Sequence, residues 1–326
     1  MKRIKVALLL ISPGKAGVES VIGNILKYLP NDKVEVFLIS STEIASYYLD
    51  LIKADHHLVL GNFFNKTSNK YLFWIQRYLK HKLKLDERKL NRWTKKSLAF
   101  LEKNDIKTMH ANLVWDYWVA SKIKELRPDI RYINTMHGTL ALDPLDDYFP
   151  FFQRETILRI LSNVDVFTSA CQYFIDLLQL WKIPLRQTEI ISNGIDKDLA
   201  AHRKETNSES IVKICFMGGG RPHQKGGDLL IYALRILNDE LKVNNFKLIV
   251  YGEVPLNSKE KSLAVMLGLN EKIEWRGFVE PPLHLEGMKE SDIFVLPSRH
   301  EGVANTLMEA IGMESVSYTH LTLPTN

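Results

Sequence analysis

Cysteine is scarce in this chain: 326 residues carry only Cys171 and Cys215. The two lie far apart, in different expected elements. That excludes a disulfide framework and a thiolate metal site, and it makes a reducing compartment the simplest expectation. Long apolar runs are also absent; none approaches the ~20 residues of a membrane-spanning helix. Lys2, Arg3 and Lys5 ahead of Val6–Ile11 have the outline of a signal peptide. The run is too short for one and ends in Ser12-Pro13-Gly14 without a cleavage site, so a buried first strand is expected. The chain has no nicotinamide-type GxGxxG, no P-loop, no metal-ligand spacing and no Asp-rich motif for a magnesium-held nucleotide. What is present is globular in character, with 45% hydrophobic and 25% charged residues and length enough for two domains.

The net charge of +5 is concentrated locally. Between Lys66 and Lys107 stand thirteen Lys and Arg against four Asp and Glu. Phe63, Phe64, Tyr71, Phe73, Trp74, Tyr78 and Trp93 lie among or beside them. Such a 63–107 segment fits either an anionic membrane surface or a solvated helical face. Nucleic acid is not expected as a partner.

Short apolar runs alternate with helix-period segments. Strands are expected at 4–11, 34–39, 106–110, 131–136, 164–169 and 189–192, then at 211–217, 246–252, 272–276 and 292–297. Several are unbroken Val/Ile/Leu/Phe runs, as in parallel strands covered on both faces. The alternation predicts a doubly wound α/β architecture. It restarts at Ile211 after a polar stretch. The expected organisation is therefore a first domain over 1–200, a linker at 201–210 and a second domain over 211–313. In open sheets of this kind ligands lie at the carboxyl ends of the strands.

Several loops in this pattern carry candidate chemistry. Ser12-Pro13-Gly14-Lys15-Ala16-Gly17-Val18-Glu19 joins the first strand to an amphipathic helix, and its glycines admit a ligand close to the backbone. His137 stands where the strand 131–136 ends, beside Gly138. Gly218-Gly219-Gly220-Arg221 through Lys225-Gly226 follows a strand and precedes a helix. It reads as an anion cradle, with Arg221 able to fork onto phosphate oxygens and Lys225 adding a point charge. The most informative stretch is Ser298–Ala310. It follows a buried strand, holds Glu301 on a glycine-containing loop and opens a helix near Asn305 or Thr306 with Glu309 in its first turn. A helix N-terminus suits phosphate, and flanking carboxylates suit sugar hydroxyls. Thr306-Leu307-Met308-Glu309 also spells a capping box, a purely structural alternative.

Together these segments resemble the retaining family 4 glycosyltransferases of the GT-B fold. Glu301 and Glu309 match the family's Glu-x7-Glu motif, and Ala16-Gly17-Val18-Glu19 is similar to its Gly-Gly-x-Glu loop. Thr135-Met136-His137-Gly138, Asn193-Gly194-Ile195-Asp196, Gly220-Arg221 through Lys225-Gly226 and Leu296-Pro297-Ser298 follow in the family's order. The resemblance implies two Rossmann-like domains facing a cleft, the first on the acceptor side and the second holding a nucleotide-sugar donor. It makes His137, Glu301, Arg221 and Lys225 the catalytic set. Gly17, Gly220, Gly302, Val303, Ala304, Asn305, Thr306 and Glu309 become the donor-binding set.

The implied reaction moves a sugar, with retention, from a UDP-type nucleotide diphosphate to a cell-envelope glycan or lipid-linked acceptor. The resemblance implies no metal and no cofactor, and a cytoplasmic protein peripheral on the inner face of the cell membrane. The chain departs from the family at Ala16, at Val303 and in the spacing of Arg221 and Lys225. After Met313 it follows no family pattern, so 314–326 is expected to be a non-native tail that leaves the second domain incomplete. A non-catalytic sugar-nucleotide binder, inactive through that truncation, is the alternative. Epimerases and phosphorylases of the same fold fit the motif and the length less well.

Overall fold

The computed structural model describes residues 3–11, 17–41, 56–61, 85–138, 154–196, 199, 211–218, 224–254, 258–279, 283–299, 301–313 and 316–318. Gly220, Arg221, most of the loop before Gly17, the stretch 62–84 and the polar 201–210 segment lie outside the described residues. The chain divides into two units, Met1–Asn193 and Gly194–Asn326.

The first unit carries seven parallel strands: β1 (Ile4–Leu10), β2 (Val34–Ser40), β3 (His57–Val59), β4 (Thr108–Ala111), β5 (Arg131–Met136), β6 (Val166–Ser169) and β7 (Thr188–Ile190). Their order across the sheet is β3-β2-β1-β4-β5-β6-β7. The described helices are α1 (Gly17–Tyr28), α2 (Leu85–Lys103), α3 (Val114–Leu126), α4 (Arg154–Leu161) and α5 (Gln172–Leu180). β1 shows why the strands read as unbroken apolar runs. Leu8 and Leu10 pack with Ile22 and Leu38, whereas Ala7, Leu9 and Ile11 belong to a second cluster with Trp93, Val119 and Phe167. A strand with a core on each face has no position for a polar alternation.

Trp93 corrects one expectation. It was counted among the aromatics of the basic segment, but it is 1% exposed, and its Nε1 donates to the Leu60 carbonyl at 3.1 Å. Its helix α2 buries Leu90, Trp93, Ser97 and Leu101, and leaves Arg88, Arg92, Lys95, Lys96 and Lys103 exposed. The basic residues of α2 lie on the outer face of a core helix, and those of 66–84 lie outside the described residues.

The second unit has five parallel strands: β8 (Val212–Met217), β9 (Phe246–Tyr251), β10 (Ile273–Gly277), β11 (Ile293–Val295) and β12 (Val316–Tyr318). They lie in the order β10-β9-β8-β11-β12. Helices α6 (Gly227–Asp239), α7 (Lys259–Met266), α8 (His284–Lys289) and α9 (Asn305–Gly312) complete the described elements. β8 again serves two cores. Cys215 and Met217 pack with Ile249, Phe294 and Ala310, while Ile214 and Phe216 pack with Leu248, Val250 and Leu234. Ile195 and Leu199 also pack into this unit, so the chain joins the second core ahead of the polar 201–210 stretch.

Two strands escaped the sequence reading. β3 and β12 have three residues each and lie at opposite ends of their sheets. Val316–Tyr318 falls within the expected tail, yet it pairs in parallel register with Ile293–Val295.

Candidate functional site

Each sheet reverses its winding at one place, between β1 and β4 in the first unit and between β8 and β11 in the second. Loops leaving the strands on either side of such a point diverge and leave a crevice at the carboxyl ends. The described site residues gather at these two places.

In the second unit, the loop after β8 and the loop after β11 are stapled together. Gly226 takes a left-handed φ of +73°, and a Cβ there would run into the Pro297 carbonyl. Only glycine fits this close approach. Arg299 N donates to Gln224 O at 2.8 Å, and the Arg299 guanidinium grips Asp228 through bonds of 2.7 and 2.6 Å. That fork holds the Asp228 carboxyl below the usual carboxylate range. The loops are thereby fixed so that Lys225 and Glu301 meet. Lys225 Nζ donates to Glu301 Oε1 at 2.5 Å, and Ser298 Oγ donates to the same oxygen at 2.7 Å. Glu301 keeps 10% of its side-chain exposure and Lys225 23%, so the pair is largely withdrawn from solvent.

Two helices open at this spot. α6 has Gly226 as its N-cap and α9 has Ala304, and neither residue places a side-chain acceptor on the first turn. The Asp228 carboxylate already accepts from backbone N–H groups at 228 and 229 in the first turn of α6, so it is the positive end of α9 that suits an anion. The capping box suggested by Thr306 and Glu309 does not form, because α9 begins one residue before Thr306. Glu309 instead lies 3.0 Å from His284 Nε2. Gly302, Val303, Ala304, Asn305 and Thr306 run from beside Glu301 into the first turn of α9. Gly220 and Arg221, of the same expected set, are outside the described residues, as is all of the first loop up to Gly17, which opens α1.

In the first unit, consecutive residues of α3 tie three strand ends together. The buried Asp116 carboxylate accepts from Ile11 N at 2.5 Å, Asn112 N at 3.1 Å and Leu113 N at 2.8 Å. The Tyr117 hydroxyl is shared between Asn112 O at 3.1 Å and Thr135 O at 2.8 Å. His137 follows β5, with Nε2 at 3.2 Å from Asn112 Oδ1. His110 Nε2 lies 2.6 Å from Thr135 Oγ1, which is 2.6 Å from Thr168 Oγ1. Burial pushes both imidazoles down to about 4, and for His137 the neighbouring His110 adds to the shift. His137 is thus a neutral hydrogen-bonding group at pH 7. Asn112, Asp116, Tyr117 and His110 escaped the sequence reading. The acidic residue in the first turn of α3 was the available signal, but its bond to Ile11 spans 105 positions.

Among the described residues no group of three or more His, Cys, Asp or Glu is arranged to hold a metal ion, and no helix is long and apolar enough to cross a membrane.

The model of Glycosyltransferase Family 4 matches residues 16–199, and that of Glycosyl transferases group 1 matches residues 199–314. The chain belongs to glycosyltransferase family 4. Among curated proteins, this family 4 chain is 24% identical over 257 residues to the mannosylfructose-phosphate synthase of Agrobacterium fabrum, an alignment covering 69% of the chain. The chain spans 56% and 58% of the length of the curated relatives it matches. Sucrose-phosphate synthase from Thermosynechococcus elongatus shares the fold, with a TM-score of 0.72 at 15% identity over 97% of this chain and 81% of that one. Anabaena HepE, solved with UDP and glucose, gives 0.70 at 15% identity over 97% and 80%. The architecture is GT-B.

Proposed function

We propose that this family 4 chain transfers a sugar from a nucleotide diphosphate donor to a glycan or lipid-linked acceptor of the cell envelope, with retention at the anomeric carbon. The observation that carries the proposal is the Lys225–Glu301 pair at the β8/β11 crevice, beside the N-terminus of α9, whose N-cap Ala304 makes no side-chain cap. A fixed cation beside the positive end of α9 answers a diphosphate. A carboxylate held by Lys225 and Ser298 answers the hydroxyls of the attached sugar, and Glu309 answers those of the ribose. UDP is the favoured carrier, supported by the UDP and glucose in the HepE structure.

In the proposed step the bond from the anomeric carbon to the β-phosphate oxygen breaks. The acceptor oxygen forms its bond on the same face, and its proton passes to the departing phosphate. Charge accumulates on that phosphate, where Lys225 and the positive end of α9 stabilise it and Arg221 adds a second cation. No protein nucleophile and no metal is required. His137, neutral at pH 7, offers a hydrogen bond to a sugar hydroxyl. The exposed basic face of α2 supports contact with an anionic membrane surface.

The test is a transfer assay of the chain with a panel of UDP-, GDP- and ADP-sugars and a simple alkyl glycoside acceptor, with NMR of the product. An α-linked product from an α-linked donor is expected. An inverted product, or donor binding with no transfer to any acceptor, would overturn it.

A further inference from the structure

The polar cluster at the ends of β4 and β5 contains a residue that the proposed reaction leaves unused. Asn112 is 1% exposed. Its backbone is held from two directions, with N donating to the Asp116 carboxylate and O facing the Tyr117 hydroxyl. Its side chain is thereby set against His137, with Oδ1 at 3.2 Å from Nε2. An amide oxygen only accepts, so with Oδ1 turned to the ring the imidazole donates from Nε2, while the buried Asn112 Nδ2 meets no partner among the described residues. Three observations thus converge on one tautomer: the anchored backbone, the acceptor at Nε2 and the half-buried, neutral ring.

We propose that Asn112 is a positioning residue that locks His137 as the neutral Nε2–H tautomer and leaves Nδ1 as a bare acceptor for a substrate hydroxyl. Asn112 touches the imidazole and acts through it. The groups that surround the pair are His110 on β4, Thr135 on β5, and Asp116 and Tyr117 on α3. Asp116 is committed to backbone N–H groups, so it supplies orientation through Asn112. This arrangement fixes polarity at His137: a hydroxyl donates to the ring, and the ring donates to the protein. The proposal rests on the sugar-transfer reading only for the identity of that hydroxyl.

The experiment is nitrogen NMR of the full chain labelled with ¹⁵N-histidine, with the His137 signals assigned by their loss in His137→Gln. At pH 7 the wild type should show an acceptor-type Nδ1 and a protonated Nε2 for this residue. Asn112→Ala should mix the two tautomers and lower kcat about tenfold with little change in donor KM, the size of one lost neutral hydrogen bond. Asn112→Asp keeps an acceptor oxygen but adds a charge beside the ring, and should hold the proton on Nε2 while favouring the doubly protonated imidazolium. An Nδ1–H tautomer in the wild type, or an unchanged spectrum in Asn112→Ala, would overturn the proposal. The wild-type spectrum decides the matter even if a variant fails to fold. Absence of sugar transfer by the wild type would defeat the functional reading while leaving this spectrum intact, so the two failures are distinguishable.

Discussion

Lys225 Nζ and Glu301 Oε1 lie 2.5 Å apart although 76 positions separate them in the chain. One follows β8 and the other follows β11, neighbouring strands on either side of the point where the second sheet reverses. In the proposed reaction the same two groups serve different parts of one donor, so the ligand must share Lys225 with Glu301. Removing the carboxylate frees the ammonium for phosphate. Glu301→Gln should therefore tighten binding of a nucleoside diphosphate lacking the sugar by about 3- to 10-fold, while lowering turnover with the sugar donor by about 10²–10³-fold. Calorimetry beside a transfer assay checks both. Weaker diphosphate binding in Glu301→Gln would show that the pair acts as a rigid support instead.

Gly226 should tolerate no side chain. Its φ of +73° and the Pro297 carbonyl each oppose a Cβ. Gly226→Ala is expected to cost about 2 kcal/mol or more of stability in the second unit. It should also weaken diphosphate binding, because Lys225 moves with it. Urea denaturation and the same titration test this. Gly138 is the contrast, since a Cβ there meets no atom within 4 Å. Gly138→Ala should leave the denaturation midpoint unchanged, and any loss it causes should appear in activity alone.

Asp116→Ala should be among the most damaging changes in the first unit. Three backbone N–H groups, from the end of β1 and the turn after β4, lose their charged acceptor in a buried place. A cost of about 3 kcal/mol or more is expected. A variant within about 0.5 kcal/mol of wild type in urea would contradict this account of how the strand ends are held.

Acid should weaken the first unit through its two half-buried, desolvated histidines. Their folded values, about 4, lie below the ordinary 6.5. Between those values the unfolded chain binds protons that the folded chain refuses. Stability is therefore lost as pH falls from about 6.5 to about 4 and levels off below. Each histidine contributes a slope of up to about 1.4 kcal/mol per pH unit. In His110→Gln/His137→Gln the slope over that window should shrink, as measured by denaturation at several pH values. The same slope in the variant would show that the histidines are not the cause.

Much of the fold was legible because a strand covered on both faces leaves an unbroken apolar run. Val6–Ile11, Ile214–Met217 and Leu248–Tyr251 could be read directly, and so could the glycine-rich turns that follow strands. β3 and β12 could not, because three residues at a sheet edge make no pattern. Trp93 shows the limit of composition: basic neighbours pointed it at a membrane, while the helix period carries it into the core. The candidate residues Lys225, Glu301, Glu309 and His137 stood out by type and spacing. Their partners His284 and Asn112 did not, since each meets its residue across 25 positions through the fold, whereas Ser298 stood three positions before Glu301 in the same stretch. Ile11 and Asp116 illustrate the same gap, joined by one bond across 105 positions of the chain.

The central claim is that the β8/β11 crevice binds a nucleotide diphosphate through Lys225 without a metal. The most direct measurement is calorimetric titration of wild type and Lys225→Ala with UDP, GDP and ADP, with and without Mg²⁺. The account predicts that wild type binds one of them equally well in EDTA and that Lys225→Ala weakens that binding by about 10- to 100-fold. Binding that requires Mg²⁺, or equal affinity in both proteins, would contradict it.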